Sequence, residues 1–393
     1  MIKSATLFTY ELDSPEFAFR ELNAQLLDKI ELLKNTVGIL MCDPEFIDAG
    51  VLEYVADRLP FPIAGASTMC QAVNGETGIL MLSLMVLTSD DVEFSVGATQ
   101  AVEPFGENIE RVTKDAYIDA AKQLSDVPKL IIAFPPLIAE NGGDQYVEAF
   151  EAVCPNVPIF GTLAVEDDMQ FLNCYNYTSA ACSKTLMSFI LVSGNVNPRF
   201  HIATISNDRA LPYTGEITKS YRHIVHEINN LKCSDYFESI GFSKDGVLDK
   251  GLQFVPYLLD FNKREDYDGI PVVRAMVYFD ENGHGVCRGY MYENSVFTLT
   301  NPTDEDVLKT SEKTFSAIAK EADAQAILIF SCMVRKMTLG SEPLKEATLL
   351  LNAMPPQTPF MLAYAGGEIC PTTSTSEKVT NRFHNYSLIA LIL

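Results

Sequence analysis

The sequence has no tryptophan, and its 393 residues include only 5 histidines. Basic residues are scarce too: 29 lysines and arginines stand against 52 aspartates and glutamates, a net charge of −23. A surface that acidic repels phosphate backbones, and no basic run interrupts it, so nucleic acid and anionic membranes are poor partners. The same charge also serves simply to keep a protein dissolved. Long apolar runs are missing. The longest, Ile79 to Leu87 and Leu388 to Leu393, fall far short of the ~18 residues a spanning helix needs, so no membrane insertion is expected. The stretch Met1 to Phe19 already carries Glu11, Asp13 and Glu16 and lacks an apolar core, so it does not read as a signal peptide. The nine cysteines are odd in number and never form a CxxC pair. They read as reduced, buried thiols, which together with the preceding points leads to the expectation of a cytoplasmic protein.

What the sequence does have is periodicity. Pro15 to Asn35 spaces Phe19, Leu22, Leu26, Ile30 and Leu33 as an amphipathic helix. A short apolar strand follows at Val37 to Met41. Next come a helix behind Pro44, a second strand at Pro62 to Gly65, and a third at Ile79 to Leu87. The order recurs. Leu130 to Phe134 is a strand and Tyr146 to Val153 a helix. Pro158-Ile159-Phe160-Gly161 then answers Pro62-Ile63-Ala64-Gly65, and Ser188 to Val192 answers Ser83 to Leu87. A third copy runs through the strand Ile327 to Phe330 and the helix Glu342 to Met354, with Ser341 as N-cap. It closes with Pro359 to Leu362 and Ser387 to Leu391. Matched order across the elements points to a duplicated strand-helix-strand-strand block, although short buried strands also resemble one another by chance.

Between the second and third copies, Ile202 to Glu238 and Val272 to Leu299 alternate in the two-residue period of strands, and a helix follows Asn301-Pro302-Thr303. Pro212 and Gly215 interrupt the pattern, placing a boundary near Leu211 to Ser220. The expected fold is α/β (mixed α+β): mixed β-sheets with helices on their outer faces, in two domains. These are 1–215, with internal repeats at 37–100 and 130–205, and 216–393.

Most motifs fail on inspection. His223 and His226 lie on a strand-like stretch where residues three apart point to opposite faces, so they cannot share an ion. With no metal spacing among the cysteines either, no metal and no other cofactor is expected. Gly65-Ala66-Ser67-Thr68-Met69 lacks the final glycine of a nucleophile elbow. The C-terminal third is richer. Ser331-Cys332-Met333-Val334-Arg335 and Ala365-Gly366-Gly367-Glu368-Ile369 each follow a buried strand, where α/β folds place ligands. Arg335 could hold a carboxylate and Glu368 an ammonium, as a zwitterion such as an amino acid requires. An internal Arg335–Glu368 ion pair ordering the two loops is the equal alternative.

Ile329 to Cys332 with Arg335, Gly367-Glu368-Ile369-Cys370-Pro371, and His384-Asn385 before an apolar terminus resemble the C-terminal FIST domain. Leu59 to Gly65 and Ser89-Asp90-Asp91-Val92 resemble the N-terminal FIST domain, and Lys219 to Gly241 the stretch joining the two. Val334 and Ala365-Gly366 depart from the family's usual residues. The resemblance implies an intracellular sensory module that binds small ligands, amino acids among the candidates, and passes the signal to a separate output protein. The candidate ligand-binding residues are Cys332, Arg335, Gly366, Gly367, Glu368 and Asn385, joined by Ser67, Thr68 and Thr162 from the loops after Gly65 and Gly161. No catalytic residue is assigned. Two alternatives stay open: an enzyme using Cys332 as nucleophile, activated by Arg335 or His384, and a docking scaffold without a ligand.

Overall fold

Apolar side chains that serve two faces at once build the central strands. In β2 (Asn35–Cys42), Ile39 and Met41 join one cluster of buried residues while Leu40 and Cys42 join another. Successive side chains point to opposite faces, so a strand covered on both sides requires an unbroken apolar run. β8 (Leu130–Phe134) and β21 (Ile327–Cys332) are made in the same way. The computed structural model describes all residues except 169, 205–208, 242–254, 261–271, 322 and 376–377.

Three units follow from these strands. The first has β1 (Lys3–Thr9), a helix Pro15–Lys29, β2, the helices Glu45–Asp48 and Val51–Ala56, and β3 (Ile63–Ser67). A hairpin of β4 (Gln71–Val73) and β5 (Glu76–Gly78) comes next, then β6 (Leu82–Ser89). The second repeats this with β7 (Val92–Ala98), a helix Ile109–Ala121, β8, a helix Asp144–Val153 and β9 (Ile159–Thr162). It ends with the hairpin β10 (Asn176–Thr178) and β11 (Cys182–Ser183), and β12 (Ser188–Gly194). The third opens with β13 (Arg199–Ala203) and resumes at a helix Asp304–Ile318. It continues through β21, the helices Met333–Thr338 and Lys345–Ala353, and β22 (Phe360–Ala365). The hairpin β23 (Glu368–Ser374) and β24 (Val379–His384) and the strand β25 (Leu388–Ile392) complete it.

Each unit orders its strands alike, as β1-β6-β2-β3, β7-β12-β8-β9 and β13-β25-β21-β22. The hairpins leave home. β4–β5 pairs with β22, β10–β11 with β3, and β23–β24 with β9, so three exchanges close a ring. Register repeats as well. Gln71 faces Ala363, Asn176 faces Ala66 and Glu368 faces Thr162, each partner standing at the same distance after Pro359, Pro62 or Pro158. The recurring glycines have a steric cause: a Cβ on Gly65 would lie 1.7 Å from Leu40 O, and one on Gly161 1.9 Å from Ala133 O. The third copy departs from the pattern. Ser83 faces Met41 and Ser188 faces Phe134, but the corresponding partner of Phe330 is Ile389, so Ser387 sits two residues too early.

The three sheets share one interior, where Phe160 stacks on Phe330 at 5.3 Å and Phe134 meets Phe330 edge-on at 6.1 Å. Helices cover the outer faces, giving the mixed α/β architecture expected. The Asp304–Ile318 helix starts on a capping box of Thr303 and Asp306. The last outer helix begins at Lys345 behind Leu344, and Ser341 is not its cap.

A fourth sheet is inserted into the third unit. It comprises β14 (Ala210–Tyr221), β15 (Ile224–Ile228), β16 (Leu231–Lys232), β17 (Val255–Asp260), β18 (Val272–Phe279), β19 (Gly285–Cys287) and β20 (Val296–Thr300). Leu211 to Ser220, read from sequence as a boundary, lies inside the twelve-residue β14. Part of the Ile202 to Glu238 alternation, residues 205–208, lies outside the described residues; Cys233–Ser239 is a helix. Two of the ring's sheets take strands from both sides of residue 215. Among the described residues no helix is long and apolar enough to cross a membrane.

Candidate functional site

The loops after β3, β9 and β22 meet where the three units join, and their hydroxyls fasten them together. Ser67 Oγ donates to Val165 O at 2.9 Å, Thr68 Oγ1 to Tyr364 O at 2.5 Å, and Thr162 Oγ1 to Gly367 O at 3.0 Å. Backbone bonds run beside them, from Val165 N to Ser67 O and from Gly366 N to Leu163 O. All three hydroxyls are buried and occupied, so Ser67, Thr68 and Thr162 join units to one another.

Arg335 and Glu368 do not pair with each other. Arg335, fully buried in the helix after β21, meets Glu346 with Nη2 to Oε1 at 2.7 Å and Nε to Oε1 at 3.2 Å. The same Nη2 donates to Ser311 Oγ at 2.8 Å and to Val307 O at 3.2 Å. Ser331 and Ser311 also donate to the Glu346 carboxylate. Burial opposes the Arg335 charge, but the adjoining Glu346 carboxylate more than offsets it and raises the guanidinium's pKa. A buried pair of this kind commits Nε and Nη2 of the guanidinium within the fold, and breaking one costs about 3–5 kcal/mol. The ion-pair alternative therefore describes Arg335 correctly in kind but names the wrong partner.

Glu368 starts β23, with Oε2 accepting from Ser387 Oγ at 2.6 Å and from Ser387 N at 3.3 Å, while Oε1 has no partner. Burial pushes its pKa up to about 8, so it is mainly neutral at pH 7 and offers no carboxylate to an ammonium. Cys332 is buried beside it. Burial, reinforced by Glu368, pushes the thiol well above its ordinary range. His384 Nε2 is engaged with Cys370 O at 3.1 Å. Burial works against the thiolate that the nucleophile alternative needs, and Arg335 is engaged with Glu346.

Cys332, Gly366 and Asn385 come together at one place, the wall of a small cavity of about 20 Å³, roughly the room one water needs. Leu137 and Phe171 reach it from the second unit, and Ala275 and Arg288 from the inserted sheet. Gly367 adjoins it. Its φ of 135° and the 3.3 Å between a would-be Cβ and Asn385 Nδ2 reserve the position for glycine. Asn385 Oδ1 accepts from Ala275 N at 3.3 Å, while no described group accepts from its Nδ2.

Arg288 is the residue that the sequence did not single out. Its backbone is bonded to Ala275 O and Gly143 N, but among the described residues its guanidinium has no ion pair or hydrogen bond. Desolvation lowers its pKa, against weaker opposing pulls from Tyr278, Cys174 and Glu140. Nearby His223 is buried with Nδ1 unpartnered; burial, then the Arg288 and Arg222 charges, push it down to about 4. His226 points elsewhere and stacks on His284 at 4.3 Å. The sheet holding Arg288 is anchored by Arg274, whose Nη2 meets Asp144 at 3.0 Å and whose Nη1 donates to Phe383 O at 2.7 Å. One signal could have revealed Arg288: it is a lone cation in the otherwise apolar and glycine run Gly285 to Met291.

Comparison with known proteins places residues 36–231 in the FIST N domain and residues 233–371 in the FIST C domain. No curated protein matches the chain. Among solved structures, a cyanuric acid hydrolase from A. caulinodans aligns over 100% of this chain and 99% of its own, with 8% identity and a TM-score of 0.38.

Proposed function

Because this chain belongs to the FIST family, whose domains are associated with signal transduction and small-ligand sensing, we propose that it is a sensor whose ligand enters the Arg288 cavity. One observation carries this reading. A half-buried guanidinium with no ion pair or hydrogen bond among the described residues stands in a cavity wall, beside an amide with a free donor and a close-packed glycine. Arginine is the side chain best suited to grip a planar anion in such surroundings, and leaving it unmatched costs stability that a ligand restores. Of the residues chosen from sequence, Cys332, Gly366, Gly367 and Asn385 belong to this site. Arg335 and Glu368 support it from behind, and Ser67, Thr68 and Thr162 hold the ring together.

The output is a separate protein, and the inserted sheet is the natural relay, since it supplies Arg288 while the ring supplies the remaining wall. Amino acids are ligand candidates through their carboxylate, with Arg288 in the place given to Arg335. A thermal-shift screen of amino acids, small dicarboxylates and nucleotides tests the reading. Binding at a hundred times Kd adds about 2.7 kcal/mol, enough to move the midpoint visibly. The shift is expected to vanish in Arg288→Gln. A shift that survives Arg288→Gln places the ligand elsewhere, and a chain that responds to nothing yet captures a signalling partner is the docking scaffold.

A further inference from the structure

The composition of the cavity wall narrows the ligand further, on the premise that this cavity is the ligand site. Among its described lining residues Arg288 is the only charged one, and the uncommitted Nδ2 of Asn385 is a second donor. The rest of the wall is apolar or weakly polar: Leu137, Phe171, Ala275 and Met333 among them. Among the described residues no carboxylate lines it. Glu140 pulls on Arg288 without reaching ion-pair distance and lies outside the wall. Glu368, behind Cys332, is held by Ser387 and carries its proton at neutral pH.

We infer that the cavity takes a small aliphatic monocarboxylate, its carboxylate on the Arg288 guanidinium and the Asn385 amide and its carbon chain against Leu137 and Phe171. A zwitterionic amino acid fits less well, because its ammonium would be buried with no anion among the described lining residues to meet it. A dicarboxylate would likewise bury its second charge against apolar side chains. The cavity's volume of about 20 Å³ requires a wall to yield. Phe171 is the wall to do so: it is only partly buried and carries a φ of 58°, which a side chain with a Cβ disfavours.

Propionate and L-alanine make the test, since they share a carbon skeleton and differ by the ammonium group. The full chain is dialysed, its denatured extract is checked by mass spectrometry for residual ligand, and thermal midpoints are read with each compound. Propionate is expected to raise the midpoint and L-alanine to bind at least about tenfold more weakly, given the cost of a buried unmatched ammonium. Arg288→Gln is expected to lose the propionate response. Asn385→Asp keeps the acceptor for Ala275 N but replaces the free donor with an anionic oxygen; it is expected to lose the response too, which covers the case of a poorly folded Arg288 variant. A response to L-alanine equal to or above that to propionate, lost in both variants, overturns the monocarboxylate class and leaves the cavity as the site. A propionate response that survives both variants, or no response to either compound, overturns the class and the site together.

Discussion

Two arginines lie within the same fold, and their surroundings differ in how many partners they offer. Arg335 was the one that sequence reasoning selected, because it follows a buried strand in a stretch resembling a known family. It is enclosed by Glu346, Ser311 and the Val307 carbonyl, with its charge matched. Arg288 sits after the three-residue strand β19 in no recognisable motif, and its charge is unmatched among the described residues. Burial alone therefore says little about a charged side chain. The number of its polar atoms already engaged separates a structural ion pair from a binding group.

The largest effect is expected from breaking the matched pair. Arg335→Ala leaves Glu346 buried beside two serines, and the unfolding free energy should fall by about 3–5 kcal/mol in urea melts. A loss under about 1 kcal/mol would mean the pair is solvated in solution. Next comes the ring itself. Gly161→Ala drives a methyl group onto Ala133 O, and a loss of about 3 kcal/mol is expected, with Gly65→Ala behaving alike because Leu40 O lies in its path. If either alanine is tolerated, the close approach of the parallel strands is not as described.

The ionisation behind the cavity gives a smaller, pH-dependent effect. Glu368 is ordinarily half-titrated at 4.5 and is pushed up to about 8 by burial, so the folded chain keeps a proton that the unfolded chain releases. Its contribution is fully present below pH 4.5 and is lost as pH rises through 8. Asp43, pushed up to about 6 by burial, acts in the same direction at lower pH, and His223 adds its own change below 6.5, so Glu368 dominates among these three in the upper part of the pH 6 to 8 range. His223 acts oppositely, with stability falling as pH drops from 6.5 toward 4. Glu368→Gln should flatten the decline between pH 6 and 8 in melts across that range; an unchanged slope would show the carboxyl to be ionised in the fold. Smaller still, Phe171→Ala should widen the cavity and move the preferred acid from propionate to longer chains. An unchanged preference would remove Phe171 from the wall.

Much of the fold could be read from the sequence, because buried strands impose local rules. Proline at the strand start and glycine against the neighbouring carbonyl mark β3 and β9, and the capping box marks its helix. What could not be read is non-local. Nothing within β4, β10 or β23 says that its partner lies in another unit, since pairing is decided by which edge is free in the closed ring. The proposed site was partly legible for the same reason. Cys332, Gly366 and Asn385 lie near strand ends and could be chosen by that rule. Arg288 arrives from an inserted sheet, and the choice between Glu346 and Glu368 as partner of Arg335 depends on helix placement rather than on spacing.

Equilibrium urea unfolding of Arg288→Gln tests the central contrast most directly. If the half-buried guanidinium is unmatched, Arg288→Gln breaks no ion pair, and the variant should be about as stable as the parent at neutral pH without ligand. A loss of about 3 kcal/mol or more, the mark of a broken buried pair, would show that Arg288 is matched after all and would contradict the account.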